Sequence, residues 1–173
     1  MTENAVANLW RSSLWQQLGA AIDMLDNAIT ACPDDLWEDG PPASAFWYVV
    51  YHTLFHLDLG LSGSVAGFTP PPPFTLAELD PAGVYPERTY SKVEMRVYLD
   101  QVRTKCRTTI AAMTDARAAE PSGIPWIEVP IVELYLYNLR HVQHHTGRLY
   151  LILRQRTDSA PAWVKRARVE RSG

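Results

Sequence analysis

The chain has 173 residues, 47% of them hydrophobic and 20% charged, which is the composition of a folded domain and excludes a disordered chain. Its net charge of −3 argues against a general nucleic-acid binder, which is normally basic. Two cysteines, Cys32 and Cys106, stand far apart, so neither a disulfide-stapled scaffold nor a cysteine-based zinc site is expected.

The opening residues Met1-Thr2-Glu3-Asn4 lack the basic-then-apolar pattern of a signal peptide. The most apolar stretch, 45–61, is interrupted by His52, His56 and Asp58 and makes a poor membrane span. The expectation is a soluble, cytoplasmic protein that engages neither membrane nor nucleic acid.

Proline positions organise the chain. A proline inside a helix removes a hydrogen bond and costs about 3 kcal/mol, so helices run where prolines are absent. Four proline-free windows stand out, 5–31, 43–62, 91–119 and 131–155. In the first, Val6, Trp10, Leu14, Leu18, Ala21, Leu25 and Ile29 recur at helical spacing. The second is apolar on every side and reads as a buried helix. In the third, Met95, Leu99, Val102, Cys106, Ile110 and Met113 form the stripe, and Ser91 followed by Glu94 predicts a capping box. The fourth opens at Pro130, whose missing N–H is no loss in a first turn.

These windows predict an all-α fold, an up-and-down four-helix bundle forming one domain over 1–173, with its core at about 5–156 and a tail from 157. Connections 32–42 and 120–130 are short enough to join neighbouring antiparallel helices. The connection between helices two and three, about 63–90, contains Pro70–Pro73, and its length marks it as functional or as a crossover along the bundle. The basic tail, with Lys165, Arg166, Arg168 and Arg171, reads as a solvated, frayed terminus. Six tryptophans exceed what one such core easily covers, so a homodimer is expected, with Trp163 docking on a partner or back on the bundle.

All five histidines, His52, His56, His141, His144 and His145, lie in the second and fourth windows. His52/His56 and His141/His145 are i, i+4 pairs, each on one helix face and able to share a metal ion. At about 100° per residue, His145 falls within the apolar arc of the fourth helix and His141 on its edge, about 40° away. His144 lies about 100° from His145 and faces outward. Asn138, one turn before His141, faces inward and can orient a ligand or cap a polar network. In the second helix, apolar residues on all sides leave His52 and His56 equivalent.

The run Trp47-Tyr48-Val49-Val50-Tyr51-His52-Thr53-Leu54-Phe55, followed far downstream by His141-Val142-Gln143-His144-His145-Thr146-Gly147, resembles the DinB/YfiT-like superfamily of metalloenzymes. That resemblance implies a four-helix bundle with a long second connection, holding a divalent ion by one histidine of helix two and an HxxxH pair of helix four. It carries the ligand role to His52, His141 and His145 and leaves His56 as an outer partner of the ligands or as packing around them.

Three imidazoles leave coordination positions open on a divalent ion, Zn²⁺ or Ni²⁺ by ligand type, as catalysis by metal requires. Such an ion lowers the pKa of a bound water, giving hydrolysis, or of a bound thiol, giving S-transfer or thiol-assisted isomerisation. The resemblance favours the thiol reactions, with a low-molecular-weight thiol such as mycothiol or bacillithiol as partner to a small electrophile. The rival readings are a metal-dependent hydrolase, a non-catalytic metal-binding bundle, and a dimerising helical module whose histidines are merely buried. Arg148 is a candidate to hold a substrate carboxylate. No carboxylate joins the inward face: Glu133 points away on the fourth helix, and Asp58 lies opposite His52 on the second.

Overall fold

The computed structural model describes the backbone of residues 3–169 and the side chains of residues 9–169; the readings placed on Met1, Thr2, Val6 and Arg171 fall outside it. Among the described residues the fold is all-helical, with two isolated bridges and no strand. Four long helices surround one core: α1 (Glu3–Ala31), α3 (Phe46–Ser62), α4 (Lys92–Ala112) and α6 (Ile131–Thr157). Two short ones, α2 (Asp34–Trp37) and α5 (Asp115–Ala119), lie in the connections. No helix among the described residues is long and apolar enough to cross a membrane.

The apolar stripes enter the core as their spacing requires. Leu18, Leu25 and Ile29 of α1, and Met95, Val102, Cys106 and Ile110 of α4, are buried. The Ser91–Glu94 capping box opens α4, with the Glu94 backbone N–H donating to the Ser91 hydroxyl and the Ser91 N–H donating to the Glu94 carboxylate. Helix α3 is buried nearly all round, and it stops at Gly63, whose φ of 73° is a left-handed conformation that glycine adopts without strain.

The third window departs from expectation by breaking in two. Met113 is extended, and the Thr114 hydroxyl accepts the Arg117 N–H to start α5 afresh. No proline or glycine marks this break; a capping side chain offered the backbone an alternative to helix.

The bundle also departs from strict up-and-down order. Helix α1 packs on α4 and α6, and α3 packs on the same two, so α1 and α3 stand across the bundle from each other rather than side by side. The directions follow from paired residues. Asp23 and Asp26 of α1 meet Arg103 and Arg96 of α4 in descending order, so these helices are antiparallel. Asp58 meets Tyr98 and Lys105, and Ser62 meets Lys105, so α3 and α4 run the same way. A parallel pair needs a connection that returns along the whole bundle, and the long Pro-rich segment is that crossover.

The crossover is held down at several points. Phe74 stacks on Tyr98 with ring centroids 4.4 Å apart, and the Tyr51 hydroxyl donates to the Thr75 carbonyl at 2.8 Å. Within the described residues the tail is docked at Ala167 and Arg168 rather than frayed. Ala167 is buried, its N–H donates to the Gln16 carbonyl at 3.0 Å, and the Arg168 N–H donates to the buried Asp23 carboxylate at 2.7 Å. Gly19 makes the room, since a Cβ there would lie 2.7 Å from the Ala167 Cβ. Trp163 takes no part in this docking and is 65% exposed.

Candidate metal centre

Helices α3 and α6 cross so that their histidines face one another. Leu61 meets Tyr135 and Gly60 meets Asn138, while His52 meets His141 and His145, an antiparallel order along the pair. The His52, His141 and His145 rings form a triangle with centroid separations of 5.2, 4.7 and 4.5 Å. Each offers a nitrogen within 4.8 Å of the others, an arrangement that a metal ion can bridge. His144 is exposed, as its place on the helix dictates. Asp58 lies on the opposite flank of α3, paired with Lys105 at 2.5 Å and with the Tyr98 hydroxyl at 3.0 Å.

The donor spacing suits an ion. Nε2 of His52 and Nε2 of His141 are 3.3 Å apart. Two Zn–N bonds of about 2.05 Å at a tetrahedral angle put their nitrogens about 3.3 Å apart. Nδ1 of His141 and Nδ1 of His145 are buried without a hydrogen-bond partner. Burial, followed by the neighbouring imidazoles, lowers the pKa of His141 to about 3, and burial with the charges of His52, His144 and Arg148 lowers that of His145 to about 4. Both stay neutral at physiological pH, the state a ligand must have.

A second group of three, His52, His56 and Glu78, adjoins the first. Glu78 sits in a single 3₁₀ turn, Ala77–Leu79, of the crossover, and its side chain is almost wholly buried. Its Oε2 lies 2.8 Å from His52 Nδ1 and 3.2 Å from His56 Nε2. Burial alone would raise the Glu78 pKa, but the hydrogen bonds from His52 and His56 outweigh it and hold the carboxyl well below its ordinary range. Burial also raises the neighbouring Tyr48 hydroxyl far above its ordinary value, with the Glu78 charge adding to it. The helical arcs of α3 and α6 contain no such carboxylate; it arrives from a segment without periodicity.

A cavity of about 310 Å³ opens beside the histidines. Its walls include Leu59, Ile124, Trp126, Ile127, Tyr137 and Asn138. The segment before α6 is zipped to the end of α3, with the Gly123 N–H donating to the Gly63 carbonyl at 2.7 Å and the Val65 N–H to the Gly123 carbonyl at 3.2 Å. That zipper carries Ile124, Trp126 and Ile127 to the cavity; Trp126 is 57% and Tyr137 44% exposed. Asn138 is 2% exposed, and its Nδ2 has no partner. Arg148 is exposed and donates to the Ala43 carbonyl at 3.4 Å, away from the cavity lining.

These shifts predict a pH dependence for the metal-free chain. In the unfolded state His141 and His145 take up protons near pH 6.5, whereas in the fold they resist to about 3 and 4. Between those limits the unfolded state binds more protons, so acidification favours it. Unfolding free energy from urea titrations should be full at pH 7.5 and fall steadily through pH 6 and 5. Substituting His141 and His145 by asparagine should flatten that decline, and an equal decline in parent and variant would contradict the assignment.

Comparison with known proteins adds the family. No curated protein and no solved structure gives a match. The family model described as the DinB superfamily matches residues 17–149, a span that contains α3, the crossover and His141 and His145 of α6. With most of its length and both histidine-bearing segments inside that match, the chain belongs to the DinB superfamily.

Proposed function

We propose that the chain is a metal-dependent enzyme in which His52, His141 and His145 hold one divalent ion, Zn²⁺ or Ni²⁺, at the floor of the cavity. The observation that carries this is the convergence of three imidazole nitrogens within 4.8 Å beside a cavity of about 310 Å³. A purely structural site has four protein ligands and is closed, whereas three ligands beside open space leave room for a substrate. An ion bound there supplies Lewis acidity, which favours the deprotonated form of a thiol or water.

The reaction we assign is thiol-dependent S-transfer or isomerisation on a small electrophile. Leu59, Ile124, Ile127 and Trp126 give the cavity an apolar wall suited to the body of such a substrate. The unpartnered Asn138 Nδ2 is placed to donate to a carbonyl or carboxylate oxygen of the substrate, satisfying a group otherwise buried alone. The exposed Trp126 and Tyr137 can close over the bound molecule. Glu78 reaches the site through His52 and His56, so proton transfer at the reacting atoms falls to the thiol itself.

The test is a screen of protein purified without chelating resin, loaded with Zn²⁺ or Ni²⁺, against low-molecular-weight thiols paired with small electrophiles. Metal-dependent consumption of the thiol, lost on chelation and on Asn138→Ala, supports the reading. Turnover of esters or amides without thiol would replace it by hydrolysis. Bound metal with no turnover of either kind would leave a binding bundle. We also propose that the protein is a homodimer, because Trp163 stays largely exposed in the single chain. A monomeric mass by light scattering at micromolar concentration would contradict the dimer.

A further inference from the structure

We infer that Glu78 is a positioning residue for the metal centre, fixing which nitrogen of His52 faces the ion, and that His56 serves to hold Glu78. The inference rests on the three-histidine reading given above. A carboxylate only accepts hydrogen bonds, so both imidazole nitrogens facing Glu78 Oε2 carry hydrogen. The neutral His52 ring, the form that can bind metal, is therefore the Nδ1–H tautomer, with its lone pair on Nε2. That is the atom 3.3 Å from His141 Nε2. Metal-binding histidines commonly donate their other N–H to such an acceptor, which sets the ring's orientation and raises its basicity.

His56 acquires a role from the same geometry. Its Nε2–H donates to the same carboxylate oxygen at 3.2 Å, so Oε2 is held from two directions. The crossover supplies the remaining restraint, with Thr75 bonded to Tyr51 and Phe74 stacked on Tyr98 on the N-terminal side of Glu78. A segment with no helical periodicity of its own thus completes a site built on two helices. The competing use of these atoms, a second ion held by His52, His56 and Glu78, would require His52 to bind metal through both nitrogens at once. The 2.8 Å contact between Nδ1 and Oε2 is instead an ordinary charge-assisted hydrogen bond.

Two measurements test this with Zn²⁺ alone as probe. Chelator competition should show Glu78→Ala binding Zn²⁺ about 10–100-fold more weakly than the parent. Glu78→Gln, whose amide oxygen still accepts from Nδ1–H, should recover part of that loss, and His56→Ala should weaken binding less than Glu78→Ala. Parent-like affinity in Glu78→Ala, or two Zn²⁺ per chain in the parent, would overturn the inference. The second measurement needs no variant to fold: ¹⁵N NMR of the imidazoles in the metal-free parent should show His52 as the Nδ1–H tautomer. Finding Nε2–H there would overturn the inference even if Zn²⁺ binds. A parent that shows the Nδ1–H tautomer yet binds no Zn²⁺ would refute the three-histidine reading instead, and with it the positioning role.

Discussion

Alanine at His52, at His141 or at His145 should each weaken Zn²⁺ binding by more than about 100-fold, beyond what loss of an outer partner produces. On the proposed reading each of these rings supplies one of three donors, and two imidazoles alone hold a divalent ion poorly against water. His144→Ala should leave occupancy near that of the parent, because His144 is exposed and projects off the site. His56→Ala should fall between these extremes, since its ring holds Glu78 and packs against His52 and His141 without being one of the three proposed donors. Metal content after dialysis against a weak chelator reads all five variants together. Equal loss in His56→Ala and His52→Ala would move the ion toward the His52–His56–Glu78 group.

The second large effect is at Gly60. In mid-helix, glycine to alanine normally stabilises by about 1 kcal/mol. Here the added Cβ would lie 2.6 Å from Cγ of Asn138, a side chain that is itself buried. Gly60→Ala should therefore destabilise, by about 1–3 kcal/mol as overpacking does. In an Asn138→Ala background the clash is gone and the same substitution should stabilise. Urea unfolding of the two single variants and the double variant measures the change of sign. If Gly60→Ala stabilises in both backgrounds, α3 and α6 are not as closely apposed as described.

The residues explain what could be read beforehand. His141 and His145 were legible because α6 has one apolar face, so spacing alone separates an inward pair from the outward His144. Helix α3 is buried nearly all round, and periodicity carries no directional information there. The resemblance to a family chose His52; in the structure His52 joins His141 and His145 in one group of possible ligands and His56 and Glu78 in another, and the His56 ring also lies 5.5 Å from that of His141. Glu78 was illegible for a different reason. It lies in a crossover whose path depends on long-range contacts such as Phe74 with Tyr98, which no local pattern encodes. The length of that segment marked it as functional or a crossover, and it is a crossover that also brings Glu78 to the histidines.

Helix existence followed from proline placement, whereas helix order and direction did not. Short connections suggested side-by-side neighbours, yet α1 and α3 stand across the core, and α3 and α4 run parallel. The docking of the tail is not legible in the sequence because it uses main-chain groups of Ala167 and Arg168 and the absence of a side chain at Gly19. None of these produces an apolar stripe.

The central claim is that three histidines hold one open-sited divalent ion. X-ray absorption spectroscopy of Zn²⁺-loaded protein, taken with its metal stoichiometry, tests this most directly. One ion per chain is expected, with three imidazole nitrogens at about 2.0–2.1 Å and the remaining positions filled by light atoms from solvent. A chain that takes up no Zn²⁺ at neutral pH, or an ion with one imidazole or none in its shell, would contradict it.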